Sequence, residues 1–289
     1  MIVLAGLLAA GVARGQGEGP EPTAEPTSSK WPRLWSSEWP KEKKLEVLNA
    51  AVIGGMATYG LLFWGYGGHS FQVVDERWLS RGSVHGGADK FGHAFSTYVG
   101  AMSYGALYEK WGYERHLASR YGALSSFATF FMIEFGDAFS RHGFSVEDLI
   151  VDACGALWGY LRREHPAFRE LVDFRVAYWP SWGTWRGYTS DYISDYSGFK
   201  YLLAFKGAGV DALASTWMKY LELQLGYYTR GYESQDWCYY GMPHRVVYAG
   251  IGVNLSAIFR ERGWRKTATF LDFYQPPLTS LTADWNIDR

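Results

Sequence analysis

The sequence predicts an α+β protein: a membrane-associated four-helix bundle followed by a small antiparallel β-sheet region. Three observations carry this. Between about residues 43 and 163, long apolar and small-residue runs are broken by few charges. Beyond residue 200, apolar and polar residues alternate with period two. The chain is also 18% aromatic, with 14 Trp and 21 Tyr. Such side chains suit places where one end is apolar and the other wet, as at a membrane interface; an aromatic-rich soluble core is the competing reading. The 289 residues give room for one large domain or two small ones. A formal net charge of -1 argues against a nucleic-acid partner.

Residues 1–15 have the form of an export signal, with an apolar core over 2–13 and a small-x-small site at Ala13-Arg14-Gly15. No Lys or Arg precedes that core, so the amino terminus alone, or a longer start, supplies the positive charge. No cysteine lies near the cleavage point, so lipid attachment there is not expected. Residues 16–42 read as a flexible linker rich in Gly, Pro, Glu, Thr and Ser, ending in WPRLWSSEWP.

The bundle is expected over 43–166. Helices are predicted at about 43–66, 90–110, 118–139 and 146–163. The first contains 20 successive uncharged residues (47–66), enough to cross a bilayer. Small residues, as in GMATYG and GAMSYG, let membrane helices approach closely. The fourth is short and charged, so a half-embedded or periplasmic bundle competes with four spans. Ser145 is placed to cap it, with Glu147 and Asp148 in its first turn and Arg162 and Arg163 in its last.

Residues 167–200 form an aromatic connecting segment, and 201–289 the antiparallel β region. Strands are predicted at 201–207, 219–232, 245–259 and 267–275; too few for a transmembrane barrel, they suit a small sheet leaning on the helices. Arg260, Arg262, Arg265 and Lys266 are expected in a solvated turn between strands. Of the two cysteines, Cys154 reads as a small buried helix residue; a single bridge to Cys238 is open but unforced.

The chemistry lies in polar residues on the apolar helices. Asp89 and His93 are four apart, and Lys90 and His93 three apart, so they share a helix face. Glu134 and Asp137 sit among Phe, Met and Ile, and Asp148 and Asp152 fall four apart on the last helix. Ionisable groups on apolar helices usually face one another or a wet cavity. Three readings stay open. Asp89, His93, Glu134 and Asp152 could hold a divalent metal such as Mg, Ca or Mn; the Glu-x-x-His of di-iron bundles is absent. The cluster could run acid–base chemistry with His93 as proton shuttle. Or it could be a structural network, with Lys90 against Glu134 or Asp152. His85 is a possible further member; His142 reads as solvated. No phosphate loop, dinucleotide fingerprint or G-x-S-x-G frame is present.

The stretches DKFGHAFSTY and FMIEFGDAFSRHGFSVEDLIVDACGALWGY resemble the YfiM-like family of predicted periplasmic proteins, and more distantly the VanZ-like membrane proteins. The likeness covers roughly residues 75–163. Positions matching its pattern are Asp89, Lys90, His93, Glu134, Asp137, Ser145, Asp148, Asp152, Gly155 and Tyr160. The resemblance implies an exported, envelope-resident helical domain and supplies no reaction. The expectation is a structural or binding protein of the cell envelope, with membrane lipid or an envelope protein as partner. The rival is a metal-assisted hydrolase or transferase acting on a lipid-linked or phosphate-bearing substrate.

Overall fold

A computed structural model describes residues 38–188, 192 and 194–289. The expected signal segment and most of the linker lie outside the described residues. The first helix, α1 (Lys41–Tyr59), continues through one π-helical stretch, Gly60–Trp64. Three helices follow: α2 (Ala88–Lys110), α3 (Arg115–Asp137) and α4 (Val146–Glu164). A two-residue strand β1 (Val73–Val74) pairs in parallel with β2 (Phe144–Ser145). A short helix α5 (Pro166–Leu171) leads into the sheet.

The expected four-helix bundle resolves into three helices packed on one another and a peripheral fourth. α2, α3 and α4 pack pairwise on one another, whereas α1 has no buried residue. Leu45, Leu48 and Val52 of α1 rest on Tyr104, Tyr108, Tyr113 and Ala118. Asn49 donates to the Tyr108 hydroxyl at 2.7 Å, which in turn meets Ser125 Oγ at 2.8 Å. Beyond that contact Gly60 is buried against the Tyr66 ring, while Leu61, Leu62 and Phe63 are 64%, 70% and 68% exposed. Among the described residues, α1 with its π extension is the one helix long and apolar enough to cross a membrane. Four spans are not supported.

The sheet is a five-stranded antiparallel meander: β3 (Val172–Tyr178), β4 (Phe199–Lys206), β5 (Leu221–Arg230), β6 (His244–Val253) and β7 (Ser280–Asn286). The predicted central strands match β4 to β6, and three expectations need correction. β3 lies inside the segment read as a connection. Val172, Phe174, Val176 and Tyr178 alternate there with Asp173, Arg175 and Ala177, a period-two signal concealed by the Trp, Tyr, Gly and Ser content of the segment that it opens. The strand predicted at 245–259 stops at Val253, because the Asn254 side chain accepts from Ala257 N at 3.1 Å and starts a helix, α6 (Leu255–Glu261). The strand predicted at 267–275 is a helix, α7 (Arg265–Leu271), which buries Ala268 and Leu271 three apart on one face. The basic residues therefore lie on this helix pair and the turn joining it, with Arg260 bound to Asp272 at 2.8 Å. Cys154 is exposed rather than buried, and neither cysteine is bridged.

The register sorts the sheet into two unusual faces. Asp173, Ala204, Gln224, Gly250 and Thr282 stand in one cross-strand row, and Lys206, Glu222, Gly252 and Ser280 in another on the same face. Here the charged groups are buried: Asp173 pairs with Arg162 at 2.9 Å, Lys206 at 2.8 Å and Arg175 at 2.5 Å, and Arg175 with Glu222 at 2.9 Å. The opposite face is apolar. Its β3–β4 half packs on α2 through Phe95, Tyr98, Phe174, Val176, Phe199 and Tyr201; each such side chain contributes about 1.5–3 kcal/mol on burial. Its β5–β7 half leaves Leu223, Leu225, Ile251 and Leu281 exposed.

Candidate functional site

The site forms where the N-termini of α2 and α4 meet the C-terminal end of α3. Gly86 and Gly87 lead into α2 with φ of +63° and +83°, and a Cβ on either would lie 2.5 Å from the Tyr232 ring or from Leu79. Only glycine fits that entry. It sets Asp89 and Lys90 in the first turn of α2, with His93 one turn on. At the start of α4, Ser145 Oγ accepts from Asp148 N at 3.1 Å, a cap worth about 1 kcal/mol. Asp148 in the first turn also benefits from the helix dipole. α4 crosses α2 closely at Gly155, where a Cβ would stand 2.2 Å from Ala94 O. That approach brings Asp152 against His93.

The carboxylates form two adjoining groups. In the first, ligand atoms of Glu76, Asp89 and Asp148 lie within 4.8 Å of one another. The buried Lys90 ammonium sits among them, 2.9 Å from Asp89, 2.8 Å from Asp148 and in direct contact with Glu76. In the second, His93, Glu134 and Asp152 lie within the same 4.8 Å limit. His93 Nδ1 stands 3.4 Å from Asp152 and 3.7 Å from Glu134. Thr97 donates to Asp152 Oδ1 at 2.6 Å. Among the described residues neither Glu134 nor Asp152 forms an ion pair with Lys or Arg. Ser145 joins the groups: its N–H donates to Glu134 at 3.3 Å and its hydroxyl to Glu76 at 3.4 Å.

Burial and crowding set the titration of these groups. Burial disfavours the His93 imidazolium, but the Asp152 hydrogen bond and the charges of Asp148, Asp152 and Glu134 outweigh it and hold the pKa up at about 10. Burial, only partly relieved by His93, pushes Glu134 up to about 8. Burial and then Asp148 push Glu76 up to about 7. Asp148 itself stays below its ordinary range, because His93 and Lys90 overcome its burial. Lys90 is raised despite burial, chiefly by Asp89 and Asp148.

Two placements differ from the sequence reading. Lys90 pairs with Glu76, Asp89 and Asp148, not with Glu134 or Asp152. Asp89, grouped by sequence with His93, Glu134 and Asp152, belongs to the Lys90 group instead. Asp137 stands outside both triads, meeting Ser140 Oγ at 3.4 Å, and burial pushes it up to about 6. His85 packs against Tyr196, with ring centroids 4.4 Å apart and planes tilted by 39°, and faces Glu233. Two members went unrecognised in the sequence. Glu76 arrives through the β1–β2 pairing, which sets Val74 beside Ser145; its only signal was an acid pair directly after Val73-Val74. Thr97 lies one turn beyond His93, a spacing that shares its face.

A shallow depression of about 410 Å³, lined by Val73, Val74, Asp75, Trp78, Val146 and Glu147, opens beside Glu76 and Ser145. Searches of curated proteins and of solved structures found no match. Residues 75–164, the segment that holds both carboxylate groups, match the model of a family described as "Predicted periplasmic lipoprotein (DUF2279)".

Proposed function

We propose that this is a non-enzymatic cell-envelope protein, held at a membrane by α1, whose helical bundle binds one divalent cation at His93, Glu134 and Asp152. The observation that carries the reading is the contrast between the two groups. Glu76, Asp89 and Asp148 already surround an ammonium, whereas the one cation beside Glu134 and Asp152 among the described residues is His93, which becomes a metal ligand on giving up its proton. One nitrogen and two carboxylate donors suit Mn or Zn better than Mg or Ca, which prefer oxygen throughout. Thr97 would orient Asp152, and Ser145 N–H would orient Glu134, as hydrogen bonds outside a metal's ligands do. The match over residues 75–164 supports export, and α1 supports membrane association.

The alternative, a metal-assisted hydrolase or transferase, draws on the depression beside Glu76. Its acidic rim, Asp75 and Glu147, repels phosphate-bearing substrates, which ranks the binding reading first. The test is elemental analysis of the full chain extracted in mild detergent, with Asp152→Asn beside it. About one Mn or Zn per chain, lost in the variant, is the expected result. Metal-free protein on both sides, with the variant poorly folded, would make the cluster a purely structural network.

A further inference from the structure

The two edges of the sheet differ. At the β3 edge, Val176 N donates to Phe273 O and Gln275 N to Val176 O, both at 2.9 Å, so the segment after α7 covers it. At the other edge nothing among the described residues pairs with β7. Its five central residues are exposed, Leu281 and Trp285 by 85% and 54%. The strand SLTADWN carries no Pro, Lys or bulge, devices that block an edge from pairing, and its one charge, Asp284, is already engaged by Lys200 at 3.6 Å and Tyr228 Oη at 2.8 Å.

We propose that β7 pairs with β7 of a second copy of this chain, antiparallel about a two-fold axis at Ala283, joining two five-stranded sheets into one. The backbone fixes which residues can do so. Ile287 N donates to Arg245 O and Val253 N to Thr279 O, so the odd-numbered residues of β7 turn their peptide groups toward β6. Ser280, Thr282, Asp284 and Asn286 therefore turn theirs outward. Centring on Ala283 sets Ser280 opposite the second copy's Asn286 and Thr282 opposite its Asp284, so every outward donor and acceptor is matched. The same register sets Leu281 opposite Trp285 on the apolar face, in line with Ile251 and Val247 of β6. Centring one residue later would oppose Asp284 to its own copy, a like-charge pair. Centring one earlier would leave Asn286 unpaired. The strand is thus self-complementary in one register, as an isologous interface requires. Asp284 is already fixed for this by Tyr228 Oη at 2.8 Å.

The test uses the full chain in mild detergent with Cys154→Ser and Cys238→Ser. In the proposed register Ala283 faces its own copy in a non-hydrogen-bonded pair, close enough for a disulfide, whereas Thr282 does not face its copy. Light scattering is expected to give a two-chain mass. Ala283→Cys is expected to cross-link most of the protein on mild oxidation, and Thr282→Cys no more than an exposed control, Arg262→Cys. Thr282→Pro removes an outward N–H while sparing the β6 ladder, so it is expected to yield folded single chains. A one-chain mass, equal cross-linking at 282 and 283, or an intact dimer in folded Thr282→Pro would overturn the proposal. So would a one-chain mass with a fluorophore at Trp285→Cys quenched by brominated lipid, which would give this face to a bilayer.

Discussion

Burial opposes the charge of Glu134, and replacing it with Gln tests the electrostatics of the site directly. It is 2% exposed, and burial lifts its pKa from 4.5 to about 8. A carboxyl raised in the folded state keeps its proton while the unfolded chain ionises, so stability falls as pH climbs from about 4.5 to about 8 and levels off above. At about 1.4 kcal/mol per pH unit, that window corresponds to about 5 kcal/mol. Gln keeps the shape and can still accept from Ser145 N–H. Part of the gain is returned, because His93 loses an anionic neighbour. Glu134→Gln should therefore be about 2–4 kcal/mol more stable than wild type at pH 9, roughly 5–15 °C in Tm, and nearly equal at pH 5. The assay is thermal unfolding of chelator-treated full chain in detergent at both pH values. An identical difference between variant and wild type at pH 5 and pH 9 would show that Glu134 does not carry this alkaline loss. Restoring Mn or Zn at pH 9 should raise the wild-type Tm and leave the variant unmoved.

Gly155→Ala gains up to about 1 kcal/mol of helix propensity but drives a Cβ into Ala94 O. Overpacking of about 1–3 kcal/mol should win, lowering Tm and weakening metal retention together. Asp173→Ala leaves Arg162, Arg175 and Lys206 buried without their shared anion; a loss of about 3–5 kcal/mol should appear as little or no folded protein in expression trials. Gly55 of α1 has open space around it, so Gly55→Arg leaves packing untouched while costing about 2.5–3.5 kcal/mol in a bilayer. A shift of protein into the carbonate-soluble fraction is expected, and unchanged pelleting would remove α1 from the membrane.

Local signals were legible because local chemistry decides them. The Ser145 cap and the spacing of Asp89 and His93 each depend on neighbours within a turn. The four long helices followed from apolar runs and the three central strands from period-two alternation, for the same reason. β3 was hidden by the composition of the Trp-, Tyr-, Gly- and Ser-rich segment around it, although VDFRVAY itself alternates, and α7 by apolar residues that fit either period. The alternation in β5 was plain, but not its direction: Glu222 and Gln224 are buried and Leu223 and Leu225 exposed.

By itself the sequence determined which side chains carry charge on apolar helices, and at what helical phase, since both are properties of spacing. Only the tertiary structure decided how those charges divide. The close α2–α4 crossing at Gly155 brings Asp152 to His93, and the β1–β2 pairing brings Glu76 to Lys90. A long-range contact fixes which acid meets which cation, because Coulomb and hydrogen-bond energies fall within a few ångströms and no spacing along the chain reports that distance.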